Sequence, residues 1–255
     1  MSYIKWNQVP NVLAFTTTKN GGHSLKPFES FNQAYQVGDN YDHVRLNRQK
    51  LCLDNGIDED SLVLVHQSHS DIIVKVDETY KGKGKLSFES GVEADALYTT
   101  AKGIALGVFH ADCCPIFISS KSGHLVGIVH AGEKGTFKKV LFKSLSTIIN
   151  NENINPEDLL VHIGPSLTFS HRIVNLSAKE MVEKYGDEYL VAFKITSGVS
   201  FIDLPLINYL QAREANIPSK NISVYDGCTY ENEDLFFSHS RENKTGRHLS
   251  IIKKI

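Results

Sequence analysis

The sequence predicts an α+β fold (mixed α/β), with mixed β-sheets flanked by helices, and three observations predict it. Short runs of β-branched and other apolar residues, the signature of buried strands, recur from residue 11 to residue 252. Stretches whose apolar residues lie three and four apart fall between them and read as amphipathic helices. Several neighbouring strand runs are joined by turns too short for a parallel crossover, so antiparallel pairing must enter the sheets. The chain, residues 1–255, is read as a single domain, because no linker, heptad run, internal repeat or low-complexity segment marks a boundary.

In chain order, NVLAFTTT at 11–18 reads as a strand, and Asn20-Gly21-Gly22 after it as a turn that tolerates positive φ. Residues 23–40 form a long polar loop anchored by Phe28 and Phe31, in which His23, Ser24 and Asn32 are candidate functional residues because loops of this length tend to carry function. Asp42 is positioned to cap a helix from His43 to Asp54 that buries Val44, Leu51 and Cys52 and stops at Gly56. Arg48, within it, reads as a solvated or ion-paired side chain.

SLVLVHQSHSDIIVKVD, starting at Ser61, is two strand-like runs separated by His66-Gln67-Ser68-His69-Ser70. Three glycines and three lysines make residues 79–91 a mobile loop, and EADALYTT at 93–100 a short strand. Residues 104–135, IALGVFHADCCPIFISSKSGHLVGIVHAGEKG, hold the densest chemistry: the strands Ile104–Phe109 and Leu125–Val129 each end in a polar cluster, with a hairpin turn at Ser120–Gly123. An amphipathic helix is predicted from Thr136 to Asn150; the glycines before it leave backbone amides that could hold an anion, although no phosphate-loop fingerprint is present.

Leu159–Ile163 follows as a strand, and Ser177-Ala178-Lys179-Glu180 as a capping box for a helix to about Tyr185. Asp203 caps a helix with Pro205 in its first turn and Leu204, Ile207 and Leu210 on its buried side. Ile222–Tyr225, Leu235–Ser238 and Leu249–Ile252 read as strands, the last preceded by a turn at Thr245-Gly246-Arg247.

The balance of 27 basic and 29 acidic side chains, net −2, provides no global field for nucleic acid or an anionic membrane, so an anionic ligand must be met locally. No apolar run reaches the ~18–20 residues of a membrane span, and the start lacks the features of a secretory signal. Cys52, Cys113, Cys114 and Cys228 have no regular spacing, which argues for reduced thiols and a cytoplasmic setting.

Zinc in catalytic sites takes three protein ligands, with thiolate and imidazole preferred, and His69, Cys113 and His130 would make such a set. Their spacings match no local metal motif. Cys113 could equally be a nucleophile with His130 as its base, or one of two small buried hydrophobes beside Cys114. The residue types alone leave all three readings open.

The motifs HQSH (66–69), ADCCPI (111–116), VHAGEKG (129–135), HIGPS (162–166), CTY (228–230), FFSHSR (236–241) and TGR (245–247) together resemble the polyphenol oxidase or laccase-domain family. FTTTKNGGHS (15–24), FESFN (28–32), VGD (37–39) and NR (47–48) follow the family's order as well. Proteins of that family are regarded as purine nucleoside phosphorylases with adenosine deaminase and methylthioadenosine phosphorylase activities. The resemblance implies a catalytic Zn2+ held by His69, Cys113 and His130, and mixed sheets sandwiched between helices, similar to the catalytic domain of cytotoxic necrotizing factor.

It implies purine nucleosides and phosphate as partners: adenosine, inosine, guanosine and methylthioadenosine are split to base and ribose 1-phosphate, and adenosine is deaminated. Asp112 is assigned to proton transfer beside Cys113, Arg48 and Lys134 to phosphate, and Asn32 to the nucleoside. The chain departs from the family where HAGWRG becomes HAGEKG (Glu133, Lys134), where Ser70 replaces a glycine, and at His171, often cysteine or tyrosine. A lysine offers phosphate a point charge where arginine offers a fork. A copper-dependent phenol oxidase is an alternative, although eleven dispersed histidines without a paired HxH pattern do not supply several copper centres. A non-enzymatic cell-envelope scaffold is another.

Overall fold

A computed structural model describes residues 2–169, 171, 173–175 and 177–255. In chain order its elements are β1 (Tyr3–Lys5), β2 (Val12–Thr17), α1 (Tyr41–Asp54), β3 (Leu62–Leu64), β4 (Ile73–Lys75), β5 (Ala96–Thr99) and β6 (Ala105–His110). Next come β7 (Cys114–Ser120), β8 (Val126–Ala131), α2 (Glu133–Phe137), α3 (Val140–Glu152), β9 (Leu159–Ile163), β10 (Ile173–Val174) and α4 (Ala178–Tyr185). The last are β11 (Phe193–Thr196), β12 (Val199–Ile202), α5 (Leu204–Glu214), β13 (Ile222–Val224) and β14 (His248–Lys254).

The strands form a five-stranded sheet, β1-β2-β14-β6-β3, a six-stranded sheet, β13-β9-β7-β8-β5-β4, and a small sheet, β10-β12-β11. Both large sheets are mixed. The pairs β3/β6, β4/β5 and β13/β9 are parallel and the others antiparallel.

Alternation along each strand sorts side chains into three apolar layers. Val12, Ala14, Leu106, Val108, Phe117, Val126, Ile128 and Ile252 pack between the two large sheets. Phe15, Phe109, Leu249 and Ile251 point the other way, against Phe31 and against Leu51 and Cys52 of α1. Ile116, Ile118, Val129 and Val161 meet Leu141, Leu145 and Ile148 of α3 and Ile207 of α5. Helix, sheet, sheet and helices are thus stacked, and truncating a large side chain in these layers costs ~2–5 kcal/mol.

Local chemistry accounts for most element ends. The β7–β8 hairpin closes where predicted, with Leu125 N donating to Ser120 Oγ and Gly123 at φ 69°. Ser177 and Glu180 form the reciprocal capping box of α4, and Asp203 accepts from Leu206 N at the start of α5. Five expectations are corrected. Helix α1 is capped by Asn40, whose side chain accepts from Asp42 N and His43 N, so it starts two residues earlier and leaves Asp42 in the first turn. The helix predicted over 136–150 is two helices, broken at Lys139 (φ 60°); Gln211 of α5 donates to the Thr136 carbonyl and holds α2 in place. Leu235–Ser238 is not a strand: Leu235 N and Phe236 N both turn back to the Asn232 carbonyl.

Residues 79–91 are bound to the sheet rather than loose, for Gly82 N donates to Leu62 O, and Leu64 N donates to Lys83 O. Arg48 is neither solvated nor ion-paired. It is 3 % exposed, and its guanidinium donates to the carbonyls of Gln33, Gly84 and Lys85. The β11–β12 hairpin, turning at Ser197-Gly198, is an addition to the expected strands. Among the described residues no helix is long and apolar enough to cross a membrane.

Candidate metal centre

The layer between the large sheets changes character at one end. β6 and β14 are registered so that Leu106 opposes Ile252 at the apolar end and His110 opposes His248 at the other. There the inward positions become polar: Thr16 and Ser250 share a 2.7 Å hydrogen bond, and Ser250 Oγ lies 2.8 Å from His110 Nε2. His130 follows Val126 and Ile128 on the same face of β8.

Three segments converge here. His69 comes from the β3–β4 connection with its backbone at φ 58°, Cys113 from the link by which the chain leaves β6 in one sheet and enters β7 in the other, and His130 from β8. One donor atom from each lies within 4.8 Å of the others. Tetrahedral zinc, with bonds of ~2.0–2.3 Å, needs donor separations of about 3.3–3.8 Å, so the set closes on an ion with small adjustments.

Gly132 keeps the space open. A Cβ there would sit 2.4 Å from His69 Nδ1 and 3.0 Å from Cys113 Sγ. The vicinal thiols part where β7 begins: Cys114 opens the strand and packs into the layer against α3, and Cys113, in the link before it, borders the cavity.

A single buried carboxylate orients two of the three candidate ligands. Asp95 Oδ1 lies 2.8 Å from His130 Nδ1, and the Asp95 carboxylate also accepts from the backbone amides of Ser68, His69 and Ser70 and from Ser70 Oγ. Burial opposes its charge, yet the bonds from His130 and Ser70 outweigh burial and hold its carboxyl at about 2. Burial likewise opposes protonation of His130, and the Cys113 sulfur and Asp95 overcome it, raising the imidazole to about 9. With Asp95 ionised, Nδ1 of His130 carries its proton and Nε2 is turned to the site, the arrangement in which a histidine serves a metal.

His69, Cys113 and His130 line a cavity of about 210 Å³ that Asp112, Gln67, His110, His239 and Arg247 also border. Asp112, with φ 92°, is held by Thr229 Oγ1 at 2.7 Å and Ser240 N at 2.6 Å. Left-handed backbone at His69 and Asp112 is costly for residues with a Cβ, and such conformations cluster at functional sites. Arg247 spends Nη1 on the carbonyls of Thr245 and Gly246. Burial lowers its pKa, countered by Cys113 and Asp112.

The structure therefore gathers His69, Cys113, His130 and Asp112 and leaves the other candidates outside the cavity wall. Asn32 is buried one step behind it, its Oδ1 accepting from Ala34 N and Arg247 N. Arg48 lies behind Phe109, its guanidinium 5.2 Å from that ring. Lys134 is exposed on α2. Ser24 and the backbone of His23 bind Asn47 and brace the loop. Sequence reasoning assigns no role to Asp95 or Arg247 and reads Gly132 only as a source of free backbone amides; the TGR motif contains Arg247, and Asp95 carries no local signal because only the β5–β8 pairing brings it to His130.

A family model described as "Multi-copper polyphenol oxidoreductase laccase" matches residues 13–254. The chain belongs to this family. Among its relatives are "Purine nucleoside phosphorylase YlmD" of Bacillus subtilis, 34% identical over 244 residues (94% of this chain and 88% of that one), and "Purine nucleoside phosphorylase YfiH" of Escherichia coli, 29% identical over 259 residues (97% and 96%). The crystal structure of YlmD from Geobacillus stearothermophilus superimposes with a TM-score of 0.94 at 32% identity, covering 100% of this chain and 96% of that one. Family membership agrees with the α+β layering, and both sequence relatives are named for nucleoside phosphorolysis.

Proposed function

We propose that this laccase-family chain is a zinc-dependent purine nucleoside phosphorylase, acting on adenosine, inosine, guanosine and methylthioadenosine, and that the same cavity deaminates adenosine. The observation that carries this reading is the convergence of His69, Cys113 and His130 around the space kept by Gly132, in a cavity that also holds an arginine. The names of the relatives support the substrate class.

His69, Cys113 and His130 would hold the metal, and the donor set of two imidazoles and a thiolate suits zinc. When bound, zinc supplies a Lewis acid that stabilises negative charge developing on an adjacent oxygen. Phosphorolysis joins phosphate to the anomeric carbon, breaks the bond to the purine and moves one proton from phosphate to the departing base. Arg247 is the guanidinium at the cavity wall and takes the phosphate role in place of Arg48 and Lys134, which lie outside that wall. Asp112 carries the proton, because its two anchors fix it as an acceptor beside Cys113. Asn32 acts on the nucleoside through the backbone of Arg247.

Copper-dependent phenol oxidation is the second reading, favoured by the family description, and soft N/S donors suit copper as well. One experiment separates the readings: metal analysis of the purified chain with chromatography of products from each nucleoside, with and without phosphate. Zinc together with base and ribose 1-phosphate supports the proposal. Copper with phenol oxidation, or no nucleoside turnover, overturns it.

A further inference from the structure

A second group of metal donors lies in the segments that follow β9 and β13. Donor atoms of His171, Cys228 and Glu231 all fall within 4.8 Å of one another. Cys228 is buried, His171 half-buried, and Glu231 open to solvent. Three donor types thus meet with one side facing water, the composition from which zinc-type sites are made.

Each donor is already oriented. Thr168 N donates to Cys228 Sγ at 3.4 Å, which fixes where the sulfur lies. The His171 ring stacks on Tyr230 with centroids 4.2 Å apart, and its Nε2 lies 2.9 Å from Glu231 Oε1. A histidine–glutamate pair open to solvent on its glutamate side would itself be worth only ~0–1 kcal/mol, and it gives no reason for a buried sulfur to share the cluster. A shared cation does.

We propose that His171, Cys228 and Glu231 bind a second divalent cation of the zinc type, distinct from that of His69, Cys113 and His130. Its role follows from what it joins. The Cys228–Glu231 turn presents Thr229, whose hydroxyl holds Asp112 at 2.7 Å. On its other side Arg241 Nη1 donates to the carbonyls of Thr229 and Tyr230. A cation tying this turn to His171 fixes the wall that aims Asp112 without touching substrate.

The test is titration of the metal-free full chain with Co2+, read by thiolate-to-cobalt charge transfer and tetrahedral d–d absorption. Two equivalents are expected for the wild type, and one each for Cys113→Ser and Cys228→Ser. Should Cys228→Ser fail to fold, His171→Ala and Glu231→Gln, at less buried positions, replace it; each should weaken one equivalent by more than the ~10–100-fold that follows loss of an outer-sphere partner. A single equivalent in the wild type that vanishes in Cys113→Ser overturns the proposal, as do two equivalents unchanged in His171→Ala and Glu231→Gln. None of these outcomes depends on nucleoside turnover.

Discussion

Oδ1 of Asp95 lies 2.8 Å from Nδ1 of His130, with both side chains shut off from solvent. The same carboxylate pins the backbone of residues 68–70, so Asp95 organises the candidate ligand on β8 and the loop that carries His69 at once. Replacing it by Asn should lower metal affinity ~10–100-fold, the usual cost of losing such a partner. Competition against a graded series of chelators measures this. Wild-type affinity in Asp95→Asn would show that the contact has no hold on the ion.

Gly132 has φ −75° and ψ 175°, a backbone any residue adopts, so alanine there brings no conformational strain. Its methyl group would instead meet His69 Nδ1 and Cys113 Sγ. Gly132→Ala should therefore lose most of its metal while its melting temperature in chelator stays within about 2–4 °C of the wild type's, a shift worth roughly 1 kcal/mol at this chain length. Full metal occupancy in the variant would contradict the cradle.

Arg48 and Arg247 should fail differently. Arg48→Met leaves two buried carbonyls and a part-buried one without their donor and should cost roughly 3 kcal/mol of stability, read as a lower denaturant midpoint. Arg247→Lys keeps the charge and loses the fork, and should raise the KM for phosphate by roughly tenfold, a loss of about 1.4 kcal/mol. An unchanged phosphate KM in Arg247→Lys would remove this residue from the phosphate site.

His248 sets a pH dependence of stability. Its Nε2 accepts from Phe237 N at 2.8 Å, and burial holds the ring at about 4. Above the unfolded value of ~6.5 neither state is protonated and the full stability is present. As pH falls from there toward 4 the unfolded chain gains a proton that the folded chain refuses, so stability drops, by roughly 3 kcal/mol in all. Burial of His110 lowers its pKa further and acts in the same direction. Urea midpoints across this range should decline for the wild type and decline less for His248→Gln. Equal slopes would place the acid sensitivity elsewhere.

Residue patterns already mark the layering, for alternation places Ile116, Ile118 and Ile128, whereas the residue types alone left the roles of His69, Cys113 and His130 open and only the resemblance grouped them. What was hidden is tertiary. The break at Lys139 has no local signal, because lysine has no preference for positive φ and the kink exists to seat Thr136 under Gln211. Arg48 looks like any polar helical residue until the loop at 84–85 closes over it. Asp95 lies 35 residues from His130 and meets it only through the Ala96–Val129 register. Ser197-Gly198, by contrast, was a readable turn signal between β11 and β12.

Cys113 occupies the short link between β6 and β7, and so between the two large sheets. The ion proposed for that place would work as a late clasp. It would find its complete grip only after the third contributor, His130, has been threaded into place and the sheets have closed face to face. Partly assembled chains would therefore compete poorly for scarce metal, and loading would act as a check on correct assembly.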